Sequence, residues 1–560
     1  MSIETSSRGT SSPRPFARWL DEPIPPLDPH VLTWLGEHLG PLTPAPAVEP
    51  ADIELPPSRL DDDALAALRE AVGDTHVRVD RLVRLRNAAG ASYDDLLRLR
   101  SGMDLHPPDA VVLPGDEAQV VAVLRAAAAH RLAVVPVGGG TSVVGGVEPE
   151  GGPGVAGVVM VDLARMTGLV RASTDDLVAA FLPGTTGPAA DALLAEHGLA
   201  LGHVPQSWAR ATIGGYAATR SAGQASTGFG RFDANVVAVR MATPRGVIAA
   251  GSGTPNAAGP DLRHLIVGSE GAFGVLTEVT VRVRPAATAR RYEGWMLPDF
   301  ATGVGVLRDL VQHGPRADSV PDVCRLSDPQ ETQVQLALRG GGAQAAALDA
   351  YLRVRGRADG CLAIVGWECS SDTLRARRGE AIKRLRSAGG VSLGTAAGDA
   401  WHRHRFDAPS QRDALIGAGV LVETLESATS WSNVAVLRDA IRDALTESLG
   451  ALGTPPVVMV HLSHLYPTGA SLYVTVLARR VDGDVEAARA QWHAAKAAAT
   501  QAILANGGTL THHHAVGRDH RPWLDREIGD LGVELLAAVK QTLDPDGICN
   551  PGVLVPPHPA

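Results

Sequence analysis

"PVGGGTSVVGG", residues 136–146, decides the fold. It follows the apolar run "LAVV" (132–135) without a break, so a strand empties straight into a glycine loop. Consecutive glycines reach φ > 0 at little steric cost. They let successive backbone N–H groups point into one concavity, which suits a phosphate or pyrophosphate. Thr141 and Ser142 add hydroxyl donors. No Lys follows Gly145 or Gly146, which excludes a Walker A loop, and the GxGxxG dinucleotide fingerprint is not met in its required context. Standing alone, the stretch reads equally well as a glycine-rich turn.

It does not stand alone. "PQSWARATIGGYAATRSAG" (205–223) and "GSEGAFG" (268–274) are two further segments of small residues. Three of them in one domain point to a long ligand with a pyrophosphate at its middle. Around them, "PDAVVLPG" (108–115) and "GVVMVDL" (157–163) read as strands. Asp116 opens an amphipathic helix, with Gln119 at the capping-box spacing. "VRMATPRGVIAA" (239–250) and "FGVLTEVTVRVRP" (273–285) read as hairpin-like strands. Short, often adjacent strands favour an α+β domain with mixed sheets over a doubly wound fold.

At 560 residues the chain exceeds one ordinary core, so two or three domains are expected. Hydrophobic content of 45% with 20% charged residues is that of a soluble globular protein. A net charge of −10 argues against nucleic acid as a partner. Cys324, Cys361, Cys369 and Cys549 form no CxxC and read as reduced thiols. No secretory pattern opens the chain and no apolar run is long enough to span a bilayer, so a cytoplasmic protein is expected. Residues 1–57 read as a loosely attached Pro- and Ser-rich arm with one helix at "HVLTWLGEHLG" (30–40). "DDDALAALREAVG" (61–73) reads as a capped helix, and the charge-rich stretch 78–100 as an exposed helix or loop. From about residue 292 to 480 a second α+β domain is expected, with "CLAIVGWEC" and "SLYVTVLARR" as strands.

"GGTLTHHHAVG" (507–517) then puts His512, His513 and His514 side by side. The run could be a metal site, a solvated loop or an acid–base group. Adjacent side chains in an extended segment point to opposite faces, so three of them seldom reach one ion, and no metal site is expected.

The succession "PVGGGTS", "PQSWARATIGG", "TRSAG" and "GSEGAFG" resembles the FAD-binding domain of the vanillyl-alcohol-oxidase-type flavoprotein superfamily. The resemblance implies an α+β, two-subdomain FAD-binding domain with an α+β cap domain, and FAD held non-covalently. Pro136, Val137, Gly138, Gly139, Gly140, Thr141 and Ser142 would wrap the pyrophosphate. Gln206, Ser207, Trp208, Ala209, Arg210, Ala211 and Thr212, with Thr219, Arg220, Ser221 and Ala222, would follow the ribityl chain and isoalloxazine. Gly268, Ser269, Glu270, Gly271, Ala272, Phe273 and Gly274 would complete the wall. The domains would be an arm and helical region (1–103), the FAD-binding domain (104–287), the cap (288–510), and a segment returning to the FAD domain (511–560).

In the cap, "VCRLSD" (323–328), "RFDAPSQRD" (405–413), "ETLESATSW" (423–431), "HLYPTGASLYVTV" (464–476) and "THHHAVG" (511–517) are similar to the alkyldihydroxyacetonephosphate synthase family. That resemblance covers roughly residues 75–555. It implies exchange of the acyl group of acyl-dihydroxyacetone phosphate for a fatty alcohol through a flavin N5 adduct, in ether lipid synthesis. Tyr466 matches the family's acid–base tyrosine. His203 and the run His512–His514 match active-site histidines. Arg325 matches an arginine near the flavin, and Arg412 would clamp the substrate phosphate. A homodimer is a further family-level expectation. The apolar patches "FARWL" and "HVLTWLGEHLG" of the arm offer peripheral membrane contact. Two departures stand out: Gln206 occupies a place that is acidic in the animal enzymes, and Ser410 and Gln411 replace bulkier apolar residues. The alternatives are an FAD-dependent 2-hydroxy-acid dehydrogenase or oxidase of the lactate or glycolate type, and a non-catalytic flavin-binding protein.

Overall fold

The computed structural model describes residues 26–314 and 320–556. The glycine loop hangs from a four-stranded sheet of order β1-β2-β4-β3. Its strands are β1 (Val77–Arg78), β2 (Ala110–Val112), β3 (Leu132–Val137) and β4 (Gly157–Asp162). β2, β4 and β3 run parallel, and β1 is antiparallel to β2. The expected domain edge at residue 104 therefore cuts through this sheet, because residues 77–78 already pair with it. Two helices cover the sheet, and both begin as the sequence indicates. Asp61 accepts the Ala64 N–H at 2.8 Å and Asp116 that of Gln119 at 2.8 Å. The expected box is displaced by one residue, for Gln119 Oε1 reaches back to the Gly115 N–H at 2.7 Å.

A second subdomain holds β5 (Leu169–Ser173), β6 (Val178–Phe181), β7 (Leu199–Ala200), β8 (Val236–Thr243), β9 (Gly246–Gly251), β10 (Val275–Arg282) and β11 (Arg284–Pro285). Five of them form an antiparallel sheet of order β5-β6-β10-β8-β9. β8 and β9 are the expected hairpin. β10 is not: it lies between β6 and β8 and pairs with both, and its side chains are buried on both faces of the sheet.

The cap is built on one seven-stranded sheet of order β15-β12-β14-β13-β17-β18-β16. Its strands are β12 (Ala289–Leu297), β13 (Val323–Ser327), β14 (Cys361–Cys369), β15 (Val391–Leu393), β16 (Val420–Ser430), β17 (Val457–Leu465) and β18 (Gly469–Arg479). Strand alternation splits its residues between two faces. Val458, Val460, Leu462, Leu472, Val474 and Val476 enter a large core shared with helices Val434–Ala451 and Val485–Ala505. The other face looks toward the FAD-binding domain.

Two expectations for the first hundred residues fail. The helix Pro29–Leu39 is no loose attachment, because Trp34, Leu35 and Leu39 belong to the cap core and His30 Nε2 meets the Ala337 carbonyl at 3.2 Å. "FARWL" lies outside the described residues. The stretch 78–100 is mostly buried rather than exposed: Tyr93, Asp95, Leu96 and Arg98 all sit in the interior. Its charges neutralise one another, with the Arg98 guanidinium set among Asp94, Asp95 and Glu148. Among the described residues no helix is long and apolar enough to cross a membrane.

Leu35→Ala is expected to cost about 2–5 kcal/mol, the penalty of a core cavity. A chemical-denaturation midpoint unchanged from the parent would mean that the helix is peripheral after all.

Candidate active site at the FAD groove and cap sheet

Gly139 approaches the segment 210–212 so closely that a Cβ there would lie 2.2 Å from the Arg210 carbonyl oxygen. A Cβ on Gly138 would lie 2.2 Å from Thr212 Oγ1. No side chain fits between the loop and its neighbour. The N–H groups of Gly139, Gly140 and Thr141 have no protein acceptor among the described residues, so the loop presents free donors to the space before it. That space is one continuous cavity of about 920 Å³. Its near wall is made by residues 136–142, by Gln206, Ser207, Ala211 and Thr212, by Thr219, Ser221 and Ala222, and by Glu270, Gly271 and Gly274. The donor set and the missing side chains fit the diphosphate and ribityl portions of FAD.

Other expected wall residues turn elsewhere. Trp208 stacks on Phe406 at 5.5 Å and donates to Asp191 at 3.1 Å. Ala209 and Arg210 do not line the cavity, the latter because it is packed inside the fold. Arg220 points to the surface and pairs with Asp233 at 2.9 Å. Gly268 and Ser269 lie behind the wall, while Ala272 and Phe273 fill the subdomain core.

The far wall is the free face of the cap sheet. β17 contributes Met459, His461 and Ser463, β18 contributes Tyr473, Thr475 and Leu477, and β16 contributes Val422 and Thr424. The spacing of two is the strand period. Tyr473 stands between His461 at 4.9 Å and His513 at 5.9 Å, stacked on both, and its hydroxyl donates to Gln206 Oε1 at 3.3 Å. Tyr473 was not singled out from the sequence, although its alternation with Thr475 and Leu477 carried the signal.

Both candidate arginines line the cavity, each already oriented by a carboxylate. Arg412 pairs with Glu423 at 2.8 Å and donates to the Ala91 carbonyl at 2.9 Å. Arg325 pairs with Glu331 and meets His461 Nδ1 at 3.0 Å. Burial would raise the Glu331 carboxyl, but His461 and Arg325 outweigh it and hold the group at about 2. Ser410 and Gln411 also lie on the cavity wall.

The histidine run divides by function. His513 and His514 line the cavity; His512 and Tyr466 lie behind them. The Tyr466 hydroxyl is 2.6 Å from His512 Nε2, and His512 Nδ1 is 2.9 Å from His513 Nδ1. A tyrosine hydroxyl donating to Nε2 leaves His512 Nδ1 as the donor to His513. The reverse order is equally complete, so a proton can shift along the chain with little heavy-atom movement. Tyr466 thus reaches the cavity only through two imidazoles. His203 does not reach it: it is buried against Tyr216 and Phe232 and touches the wall through Ser221, 3.1 Å away. Nitrogens of His464, His512 and His513 do lie within 4.8 Å of one another, a set the sequence argument from alternation did not foresee, because His464 comes from β17. His464 Nε2 is taken up by the Gly223 carbonyl at 3.1 Å and its Nδ1 meets Ser471 Oγ at 2.9 Å, so its hydrogen bonds are satisfied by protein groups.

Comparison with known proteins agrees with this geometry. Residues 108–251 match the family model "FAD binding domain", and residues 286–554 match "FAD linked oxidases, C-terminal domain". The alkyldihydroxyacetonephosphate synthase of Trypanosoma brucei brucei is 31% identical over 538 residues, 95% of this chain and 86% of that protein. The chain belongs to the alkyldihydroxyacetonephosphate synthase family. A solved alkyldihydroxyacetonephosphate synthase structure superposes with a TM-score of 0.79 at 27% identity, covering 93% of this chain and 91% of that one. Its fold is that of the vanillyl-alcohol-oxidase-type flavoproteins, and p-cresol methylhydroxylase shares it at a TM-score of 0.64 and 14% identity, covering 88% of this chain and 96% of that one. The cofactor of this family member is FAD.

Gly139→Ala is expected to yield protein with little bound flavin, read from the flavin-to-protein absorbance ratio. The buried imidazoles set a pH dependence. Burial lowers His203 and His514 from 6.5 to about 3, and His520 to about 4. The unfolded chain therefore binds protons below about 6.5 that the folded chain refuses, so this contribution to stability is present above that pH and is lost as pH falls toward 4. Denaturation midpoints measured from about pH 7 to about pH 5 should fall, and His514→Asn should reduce the slope by about one proton.

Proposed function

We propose that this chain exchanges the acyl group of acyl-dihydroxyacetone phosphate for a fatty alcohol. The observation that carries the reading is the shape of the cavity. Its lining joins the FAD groove, Arg325, Arg412 and His513 to an apolar branch walled by Leu27, by Val31, Trp34 and Leu35 of the N-terminal helix, and by Val334 and Leu338. A phosphate finds two guanidiniums, and an alkyl chain finds a hydrocarbon wall beside them. A small 2-hydroxy acid would use only the polar end.

Bound FAD supplies an electrophilic ring system beside the polar end of the cavity. Arg412 and Arg325 fix the phosphate, each presented by its own carboxylate rather than by the substrate. His513 faces the cavity and takes up the proton removed from the substrate carbon, sharing it with His512, whose Nε2 is held by the neutral Tyr466 hydroxyl. Burial keeps His512, His513 and His514 below the usual imidazole range, so the run rests neutral. The apolar branch excludes water from the exchange. The groove segments contain no His or Cys, which supports non-covalent attachment of FAD.

The same reading places the protein in the cytoplasm, which its free cysteines Cys324, Cys361, Cys369 and Cys549 support. It includes a homodimer, to which the exposed Leu531 and Leu535 offer an apolar surface. It also includes peripheral membrane contact. The helix Pro29–Leu39 is committed to the core and the cavity, so the better surface is the end of the helix Ala343–Val354. There Val354 is 86% exposed, followed by the exposed Arg355.

The test is an anaerobic assay with acyl-dihydroxyacetone phosphate and a labelled fatty alcohol. Labelled ether should appear with the flavin oxidised at the end, and Tyr466→Phe or His513→Ala should slow its formation at least about 100-fold while leaving a measurable residual rate. Absence of ether, with flavin bleaching by 2-hydroxy acids, would transfer the protein to the dehydrogenase class.

A further inference from the structure

Glu426, on β16, is fully buried and has no Arg or Lys partner among the described residues. Its charge is met by the peptide backbone of the histidine run. Oε1 accepts the Thr511 hydroxyl at 2.6 Å and the N–H groups of His513 at 3.0 Å and His514 at 2.7 Å. Oε2 accepts the His512 N–H at 2.5 Å. Three successive peptides of the run thus converge on one carboxylate; the His512 ring reaches Tyr466, while those of His513 and His514 line the cavity and keep Nδ1 3.5 Å and 4.0 Å from the same carboxylate. Two residues on, a second buried carboxylate repeats the arrangement from the other domain. Glu270 accepts the Val516 N–H at 2.9 Å and that of Gly517 at 2.8 Å. From His512 to Gly517 only the Ala515 N–H is bound by neither carboxylate.

We infer that Glu426 is the positioning residue of the catalytic histidines, and that Glu426 and Glu270 form a two-domain clamp on residues 511–517. A buried carboxylate without a cation is costly unless every oxygen finds donors. Here the donors are the backbone of the segment that must be held, so the carboxylate and the loop order each other. A positional error of about 1 Å in such a group costs on the order of 100-fold in rate. The catalytic half of the inference rests on the exchange reading above; the structural half does not.

Two measurements test it on the FAD-loaded, full-length protein. Hydrogen exchange followed by mass spectrometry should show faster exchange of residues 511–517 in Glu426→Gln, with the cap strands still protected. Thr511→Val, which removes a single donor and leaves the carboxylate, should give a smaller rise at the same peptide and serves if Glu426→Gln does not fold. In the ether assay, Glu426→Gln should lower kcat by about 10- to 100-fold with a KM change under about twofold. Combined with His513→Ala it should be no worse than His513→Ala alone, because both act through one imidazole. Unchanged exchange at 511–517 overturns the clamp, and so does exchange raised across the whole cap, which would be general destabilisation. Multiplying rate losses overturn the action through His513. If the parent protein makes no ether, the exchange reading falls while the exchange-rate map still decides the clamp.

Discussion

A carboxylate taken out of water must find hydrogen-bond donors, and in this protein several of the long-range joints answer that demand. Asp109 accepts the N–H groups of Arg59 and Val158 at 2.7 Å each and joins the first helices to the first sheet. Glu423 accepts the Tyr93 N–H at 2.6 Å while pairing with Arg412, which fastens residues 78–100 to the cap. Glu426 and Glu270 hold the histidine run from opposite domains. Asp544 accepts the Cys549 N–H at 2.7 Å and takes Lys540 at 2.6 Å, which shapes the return of the last residues beside β3. None of these contacts is local except the last, so each fixes a separation that the sequence order leaves open.

The cavity inherits its character from the elements that meet around it. One wall is backbone: a glycine loop that admits no side chain and spends its N–H groups on a ligand. The opposite wall is a sheet face, where period-two alternation sets His461 and Tyr473 side by side on neighbouring strands and His513 of the histidine run stacks on the tyrosine. The third is the N-terminal helix, whose apolar stripe serves the core and the cavity together. A diphosphate cofactor, a phosphorylated carbon and a hydrocarbon tail each find one of these walls suited to them.

What could be read from the chain was what depends on neighbours in sequence. The strands flanking the glycine loop, the N-caps Asp61 and Asp116 and the hairpin of β8 and β9 follow from local pattern. The pairing of arginines and histidines with a flavin site came instead from the resemblance of several segments, taken together, to a known family. The failures share one cause. The stretch 78–100 reads as solvated because its charges are visible and their mutual pairing, through Glu148, is not. β10 reads as half a hairpin because its second partner, β6, lies almost a hundred residues earlier. His203, Trp208 and Arg210 have suitable chemistry but are turned away by packing partners that no motif discloses.

Sequence by itself determined the chemistry available: a loop of backbone donors, a run of imidazoles, two well-placed guanidiniums, and apolar helices enough to enclose a lipid. Tertiary structure decided which of these face the same space. Side-chain direction along an extended segment is set by where its peptide groups are bonded, and for residues 511–517 those bonds go to carboxylates at positions 426 and 270. That is why the chain announces three equivalent histidines, while the fold turns two toward the cavity and leaves the third as the link to Tyr466.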